Sequence, residues 1–276
     1  MLVSGKVFVV TGAGNGIGRE VTRELIARGA RVAAVDRSED GLLGTSALVE
    51  GSSSRSMSLH TVDLTDRDAV AALPVRVLEQ HGQVDGLVHV AGIIQPFVPI
   101  AELSFADIDR VMAVNFDGTV NVDKAFIPLL LHRPEACLLN VSSMGALVPV
   151  PGQGAYGASK AAVALLTETL FAELQGTSVA VTLVYPGAIG TNIAANSGVT
   201  LEMPEGAKDF PMTAPDEAAR QIVDAIAAGR PRLLIGKDAR MLDRMSRLMP
   251  TRAVTIVARR MQRLLGGKAA SGRVEQ

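Results

Sequence analysis

The chain has no tryptophan, two tyrosines and one cysteine among its 276 residues. Its core must therefore be built from Val, Leu, Ile, Ala and Met, and so few rings leave no platform on which nucleic-acid bases could stack. With one cysteine no disulfide can close within the chain, and Cys137 lies in an apolar run (136–141) that marks it as core and not as a nucleophile. The four histidines (His60, His81, His89 and His132) lack metal-ligand spacing, so no metal site is expected. No apolar run reaches the length of a membrane span, and residues 1–10 lack the basic start, apolar stretch and cleavage site of a secretion signal. The expected location is the cytoplasm. A net charge of −1 argues against nucleic acid as a partner. Charge is unevenly placed, however: from Arg230 onward 12 Lys+Arg face 3 Asp+Glu, leaving 15 against 25 before it.

What is present is a regular alternation of buried strands and amphipathic helices. Residues 6–10 read as a strand, a short apolar run that enters Thr11-Gly12-Ala13-Gly14-Asn15-Gly16-Ile17-Gly18. A helical pattern through Val21, Leu25 and Ile26 stops at Gly29, and a second strand, 31–35, ends on Asp36. This β-α-β unit has the logic of a dinucleotide site. Glycines let the backbone approach a pyrophosphate, the helix N-terminus offers free N–H groups, and a carboxylate accepts from ribose hydroxyls. The alternation continues with strands at 57–62, 84–90, 136–141, 179–184 and 232–235, and with helices at 66–81, 102–131 and 153–174. A single doubly wound α/β domain over 1–236 is expected, a parallel sheet of about seven strands with helices on both faces. Residues 237–276 would form a basic helical extension. Asp36, Asp63-Leu64, Ala91-Gly92, Ser142-Ser143 and Pro186-Gly187 all fall at carboxyl ends of strands, where ligands of such sheets bind.

Tyr156 and Lys160 lie four apart on the 153–174 helix, so they project from one face. Bringing a phenol from about 10 to about 7 requires roughly 4 kcal/mol of preferential stabilisation of the phenolate. One cation about 5 Å away, at an effective dielectric near 20, supplies about 3 kcal/mol. The expectation is therefore that Lys160 lowers the Tyr156 pKa and that a second positive charge, an oxidised nicotinamide, completes the shift. Ser142 would point away from this pair if the strand is still extended, which leaves Ser143 to face it.

From about residue 6 to 235 the chain resembles a classical short-chain dehydrogenase/reductase. The residues that carry the likeness are Thr11-Gly12-x-x-x-Gly16-x-Gly18, Asn115 in Val114-Asn115-Phe116, Ser143 with Tyr156-x-x-x-Lys160, and Pro186-Gly187-x-x-x-Thr191. One motif departs: the family's Asn-Asn-Ala-Gly is His89-Val90-Ala91-Gly92 here, which removes the amides that brace the sheet. The resemblance implies hydride transfer between an alcohol carbon and a nicotinamide, with Tyr156 as general acid/base and Ser143 holding the substrate oxygen. Lys160 would bind the nicotinamide ribose, and Asn115 would anchor a water that passes protons from the lysine to solvent. Gly12, Asn15, Gly16, Ile17, Gly18, Asp63, Leu64, Ala91 and Gly92 would line the coenzyme with Tyr156, Lys160, Pro186 and Gly187, while Thr191 and the backbone near Ile189 would fix the carboxamide. Asp36 argues for NAD over NADP, because a carboxylate beside a 2′-phosphate pairs like charges. Arg37 could bind a phosphate, but the preferred reading is a solvated arginine near the adenine. The family also implies a homotetramer or dimer packed through the 102–131 and 153–174 helices.

The expected substrate walls are residues 93–100, 144–154 and 188–214, the last a long loop with Met203, Phe210 and Met212 that reads as a mobile lid. They hold no Arg, and their one Lys is Lys208, so a small anionic substrate is disfavoured and an apolar secondary alcohol or ketone is expected. The alternatives are a 3-oxoacyl reductase of lipid metabolism and a non-catalytic nucleotide-sensing scaffold. In the extension, Met241, Leu242, Met245, Leu248 and Met249, then Val254, Val257, Met261 and Leu264, follow helical spacing among Arg240, Arg244, Arg247, Arg252, Arg259, Arg260 and Arg263. Three readings stand: a flap or subunit contact over the substrate mouth, peripheral contact with an anionic membrane, or a loosely ordered tail. Residues 266–276 are expected to be disordered.

Overall fold

A computed structural model describes residues 1–49, 56–199 and 212–264, with the side chains of 262–264 excepted. The lid residues Met203, Lys208 and Phe210, the side chains of Arg263 and Leu264, and the segment 266–276 lie outside what is described. The elements run β1 (Val7–Thr11), α1 (Gly16–Ala27), β2 (Arg31–Asp36), α2 (Glu39–Ala47), β3 (Met57–Thr61), α3 (Arg67–His81) and β4 (Gly86–His89). Then follow α4 (Phe105–Met112), α5 (Gly118–Leu131), β5 (Ala136–Val141), α6 (Gly154–Glu173), β6 (Val179–Pro186), α7 (Ile193–Asn196), α8 (Pro215–Ala228), β7 (Arg232–Ile235), α9 (Lys237–Leu248) and α10 (Pro250–Leu264).

Seven strands form one sheet in the order β3-β2-β1-β4-β5-β6-β7, and every pairing is parallel. The order reverses between β1 and β4, so a crevice opens at the carboxyl ends of these two strands. All residues of β1 and β5 are buried, which is why both read as mostly apolar runs. Successive side chains serve opposite faces. Phe8, Val10, Val32, Ala34 and Leu139 join one core layer with α1 and α8. Val9, Ala33, Val35 and Leu138 join the other with α3, α5 and α6.

Two departures from the sequence reading matter for the site. The expected helix over 102–131 starts at Phe105, after a Ser104 cap, and is broken at Ala113–Asp117 by a π-helical segment that contains Asn115. The helices α2, α7 and α8 have no counterpart in the sequence reading. Among the described residues, no helix is long and apolar enough to cross a membrane.

Candidate active site

The loop after β1 is shaped by close approaches that only glycine permits. Gly12 has φ +69°, and a Cβ there would stand 2.9 Å from the Ala91 nitrogen. A Cβ on Gly14 would meet the Asp36 carboxylate at 2.9 Å. Asn15 caps α1 by accepting the Gly16 N–H at 2.6 Å. Asp36 accepts from Gly14 N–H through Oδ2 and from Ser38 N–H through Oδ1, both at 2.9 Å, so its carboxylate is fixed at the rim of the loop. The resulting cleft has a volume of about 420 Å³. Of the expected coenzyme residues, Gly12, Asn15, Gly16, Ile17, Gly18, Asp36, Arg37, Asp63, Leu64, Ala91, Gly92 and Thr191 line it. Tyr156, Lys160, Pro186, Gly187 and Ile189 do not. Lys160 stands just behind the wall, since a Cβ on Gly92 would come within 2.9 Å of its Nζ. A crevice lined by glycine backbone, with a helix N-terminus and a carboxylate set beside the same loop, fits a dinucleotide.

The catalytic candidates converge beside this cleft. Ser142 Oγ donates to the Lys160 carbonyl at 2.7 Å and is buried, so it is structural. Ser143 Oγ accepts the Gly145 N–H at 3.0 Å, and it and the Tyr156 ring flank Gly145, where an added Cβ would stand 3.4 Å from Ser143 Oγ and 3.7 Å from the nearest ring carbon. Asn115 is fully buried: its Oδ1 accepts from Ile93 N–H at 2.8 Å, and its Nδ2 donates to the Ile93 carbonyl at 3.0 Å and to Ser159 Oγ at 2.9 Å. Lys160 is buried, and its Nζ donates to the Val141 carbonyl at 3.0 Å.

Here the electrostatic expectation needs correction. Among the protein's own groups, burial raises the Tyr156 pKa above its ordinary value, and the one lowering influence is the neighbouring Ser143 hydroxyl. Burial likewise pulls the Lys160 ammonium down to about 8. The lysine is directed at the Val141 carbonyl, so its charge does not offset the cost of burying a phenolate.

Several residues with structural claims on the site carried no motif. Gln95 is fully buried, and its Oε1 accepts the Tyr156 N–H at 3.0 Å while its Nε2 donates to the Gly152 carbonyl at 3.0 Å. Arg19 donates to the Gly14 carbonyl and to Thr45 Oγ1, clamping the glycine loop onto α2. Asn196 receives Asn15 Nδ2 on its side chain at 3.2 Å and Arg37 on its carbonyl at 3.3 Å, so α7 is tied to the loop. Asp238, at the start of α9, accepts the Ala188 N–H at 2.7 Å, and a Cβ on Gly187 would overlap its carboxylate. His89, which stands where the family has asparagine, contacts Thr11 and Thr119 with its two ring nitrogens at 2.9 Å each, so β4 is braced after all.

The extension folds back onto the site. Leu242, Met245, Ala253 and Val257 pack against Met144, Leu147 and Val148, the segment that follows Ser143. Asp243 accepts from Arg232 at 2.7 Å and from Arg247 at 3.0 Å, fastening α9 to β7. Leu248 (80% exposed) and Ile256 (49%) remain on the outside.

Comparison with known proteins agrees with this geometry. The short chain dehydrogenase family model matches residues 6–201. The Mycobacterium tuberculosis protein SadH is 35% identical over 264 residues, covering 92% of this chain and 94% of its own. The 3-oxoacyl-[acyl-carrier-protein] reductase FabG of Thermotoga maritima is 33% identical over 209 residues, covering 76% of this chain and 82% of its own. Among solved structures, a short chain dehydrogenase/reductase from Burkholderia phymatum in complex with NAD superposes with a TM-score of 0.82 at 27% identity, covering 90% of this chain and 94% of that one. One from Burkholderia cenocepacia in complex with NADP gives 0.78 at 27% identity, covering 93% and 99%.

Proposed function

Because the chain belongs to the short chain dehydrogenase family and is an oxidoreductase of the nicotinamide-dependent kind, we propose that it interconverts a hydrophobic secondary alcohol and its ketone with NAD. The observation that carries this reading is the Ser143 hydroxyl brought beside the Tyr156 ring around Gly145, next to an apolar wall of Met144, Leu147 and Val148 that the extension covers. When bound, the nicotinamide supplies the hydride acceptor or donor and, oxidised, the positive charge that the buried phenol lacks among its protein neighbours. Tyr156 takes the hydroxyl proton in oxidation and returns it in reduction. Ser143 holds the substrate oxygen where negative charge develops. Lys160 would hold the ribose, and Asn115 would anchor the water that carries protons away.

The choice of NAD rests on Asp36, whose carboxylate is fixed at the rim where a 2′-phosphate would bring like charge. Arg19, the cation nearest the loop, is committed to Gly14 and Thr45. A flap over the substrate mouth is the reading of the extension that its packing on Met144–Val148 favours over membrane contact or a loose tail. Exposed Phe105 (84%), Leu165 (68%) and Phe171 (42%) on α4 and α6 support a second copy of the chain as the partner of these helices. A 3-oxoacyl reductase is the second reading, favoured by the likeness to FabG. Initial rates on a panel of apolar secondary alcohols, ketones and 3-oxoacyl thioesters, followed by NADH absorbance, test the proposal. Turnover confined to thioesters would select the second reading, and equal rates for wild type and Tyr156→Phe would sink both.

A further inference from the structure

The centre of the molecule holds a run of hydroxyl and imidazole groups to which the proposed chemistry gives no part. Thr11 Oγ1 lies 2.9 Å from His89 Nδ1, and Thr119 Oγ1 lies 2.9 Å from His89 Nε2. All three residues are fully buried. The direction of each bond follows from counting protons. Thr119 Oγ1 also stands 2.6 Å from the Asn115 carbonyl, which can only accept. The threonine proton goes there, so its oxygen must accept from the imidazole. At the other end, Thr11 Oγ1 accepts the backbone N–H groups of Val90 at 3.1 Å and Ala91 at 3.3 Å. Both its lone pairs are taken, so its proton goes to Nδ1. The two ends independently demand one form of the ring, neutral and protonated on Nε2. The other tautomer would set Nε2 against an oxygen with no proton to give. An imidazolium would press Nδ1–H on an oxygen with no free lone pair.

We propose that His89 is a positioning residue, held as the neutral Nε2–H tautomer, whose directed chain from Thr11 through Thr119 aims the Asn115 carbonyl inside the π-helical segment. The same run of bonds continues toward the proton-handling pair. Asn115 Nδ2 donates to Ser159 Oγ at 2.9 Å, and Ser159 Oγ donates to the Tyr156 carbonyl at 2.8 Å. The loop after β1, the π-helical segment and the first turns of α6 are thereby held in one register. An asparagine side chain is shorter than imidazole and could not touch both Thr11 and Thr119 across this span. Lys160 is the charged group that acts on the ring, and its positive charge also favours the neutral form.

The catalytic part of this proposal rests on the oxidoreductase reading, whereas the tautomer does not. Long-range proton–nitrogen spectra of enzyme labelled with ¹⁵N-histidine, with the His89 signals assigned through their loss in His89→Gln, read the ring directly. The expected pattern is a protonated Nε2 and a bare Nδ1 that does not titrate between about pH 8 and 5.5. A protonated Nδ1, or titration near the ordinary histidine value, overturns the proposal. In the second arm Thr119→Val removes the hydroxyl at constant shape and Thr119→Ser keeps it. Thr119→Val should lower kcat by roughly ten- to a hundredfold with the coenzyme KM within about twofold, while Thr119→Ser stays near wild type. Equal kcat for the two variants, or a loss confined to thermal midpoint and coenzyme KM, overturns it as well. A wild-type enzyme that turns over no substrate would sink the functional reading, and the spectra would still decide His89.

Discussion

The side-chain carbonyl of Gln95 accepts the backbone N–H of Tyr156 at 3.0 Å, so the proposed acid/base residue is seated by a buried amide from the loop after β4. Gln153 completes the clasp by donating through Nε2 to the Gln95 backbone carbonyl at 2.9 Å. Gln95→Leu conserves most of the volume and leaves Tyr156 N–H and the Gly152 carbonyl unpaired. The expected cost is about 1–3 kcal/mol of stability, with kcat falling more than coenzyme affinity. Urea denaturation together with steady-state kinetics checks both, and an unchanged kcat would show that the clasp does not position the phenol.

Tyr156→Phe should lower kcat by roughly 10²- to 10⁴-fold while dinucleotide affinity stays near wild type. Because the chain has only two tyrosines, and burial raises the pKa of both Tyr156 and Tyr185, ultraviolet titration without coenzyme should show no phenol ionising below the ordinary value. Saturating NAD⁺ should bring one phenol down, and that one should be missing from Tyr156→Phe. A phenol ionising near neutrality without coenzyme would restore Lys160 as the main cause of acidification.

Asp36→Ala should narrow or invert the preference for NAD. The variant loses the acceptor for ribose hydroxyls and the bonds to Gly14 and Ser38, so kcat/KM for NAD⁺ should fall, by about tenfold or more. With the like charge removed, kcat/KM for NADP⁺ should rise. Initial rates with both coenzymes decide it; a wild-type preference for NADP⁺ would contradict the assignment.

Stability should rise with pH between about 4 and 6.5. Burial pulls His89 to about 3 and His60 to about 4, and lowers His81. A depressed folded-state value means the unfolded chain binds more protons, so this contribution is present above the ordinary histidine pKa and is lost as pH falls. Asp123 opposes it: burial raises its carboxyl to about 7, so its contribution is present at low pH and is lost as pH rises through that value. Three imidazoles outweigh one carboxyl. Asp123→Asn removes the opposing group and should steepen the rise, as urea midpoints at about pH 5 and 6.5 would show. A flat profile in wild type would contradict the balance.

Leu242→Ala tests the extension. Leu242 is 8% exposed and packs with Val148 and Ala253, so its truncation should cost roughly 2 kcal/mol or more. If α9 and α10 wall the substrate, KM for apolar ketones should rise while coenzyme KM stays constant. Equal changes in both would reduce the extension to a brace.

What could be read from residue order alone were the features whose cause is local. A strand buried on both faces, such as 136–141, stands out as a mostly apolar run closed by turn residues. The glycine loop with Asp36 at the next strand's end declares a dinucleotide site because the chain itself brings these parts together. Tyr156 and Lys160 share a face because helical geometry requires it. The lengths of the helices were less legible, since the π-helical segment Ala113–Asp117 holds Asn115, whose side-chain partners Ile93 and Ser159 lie 22 and 44 residues away. Folding in three dimensions alone decided which groups face each other across the sheet. Gln95 seats Tyr156 from 61 residues away, and His89 joins Thr11, 78 residues before it, to Thr119, 30 residues after it. The direction of the Tyr156 shift belongs to the same class. Residue spacing tells how near a cation can come, but the cost of burying a charge depends on everything packed around it, and that environment exists only in the folded chain.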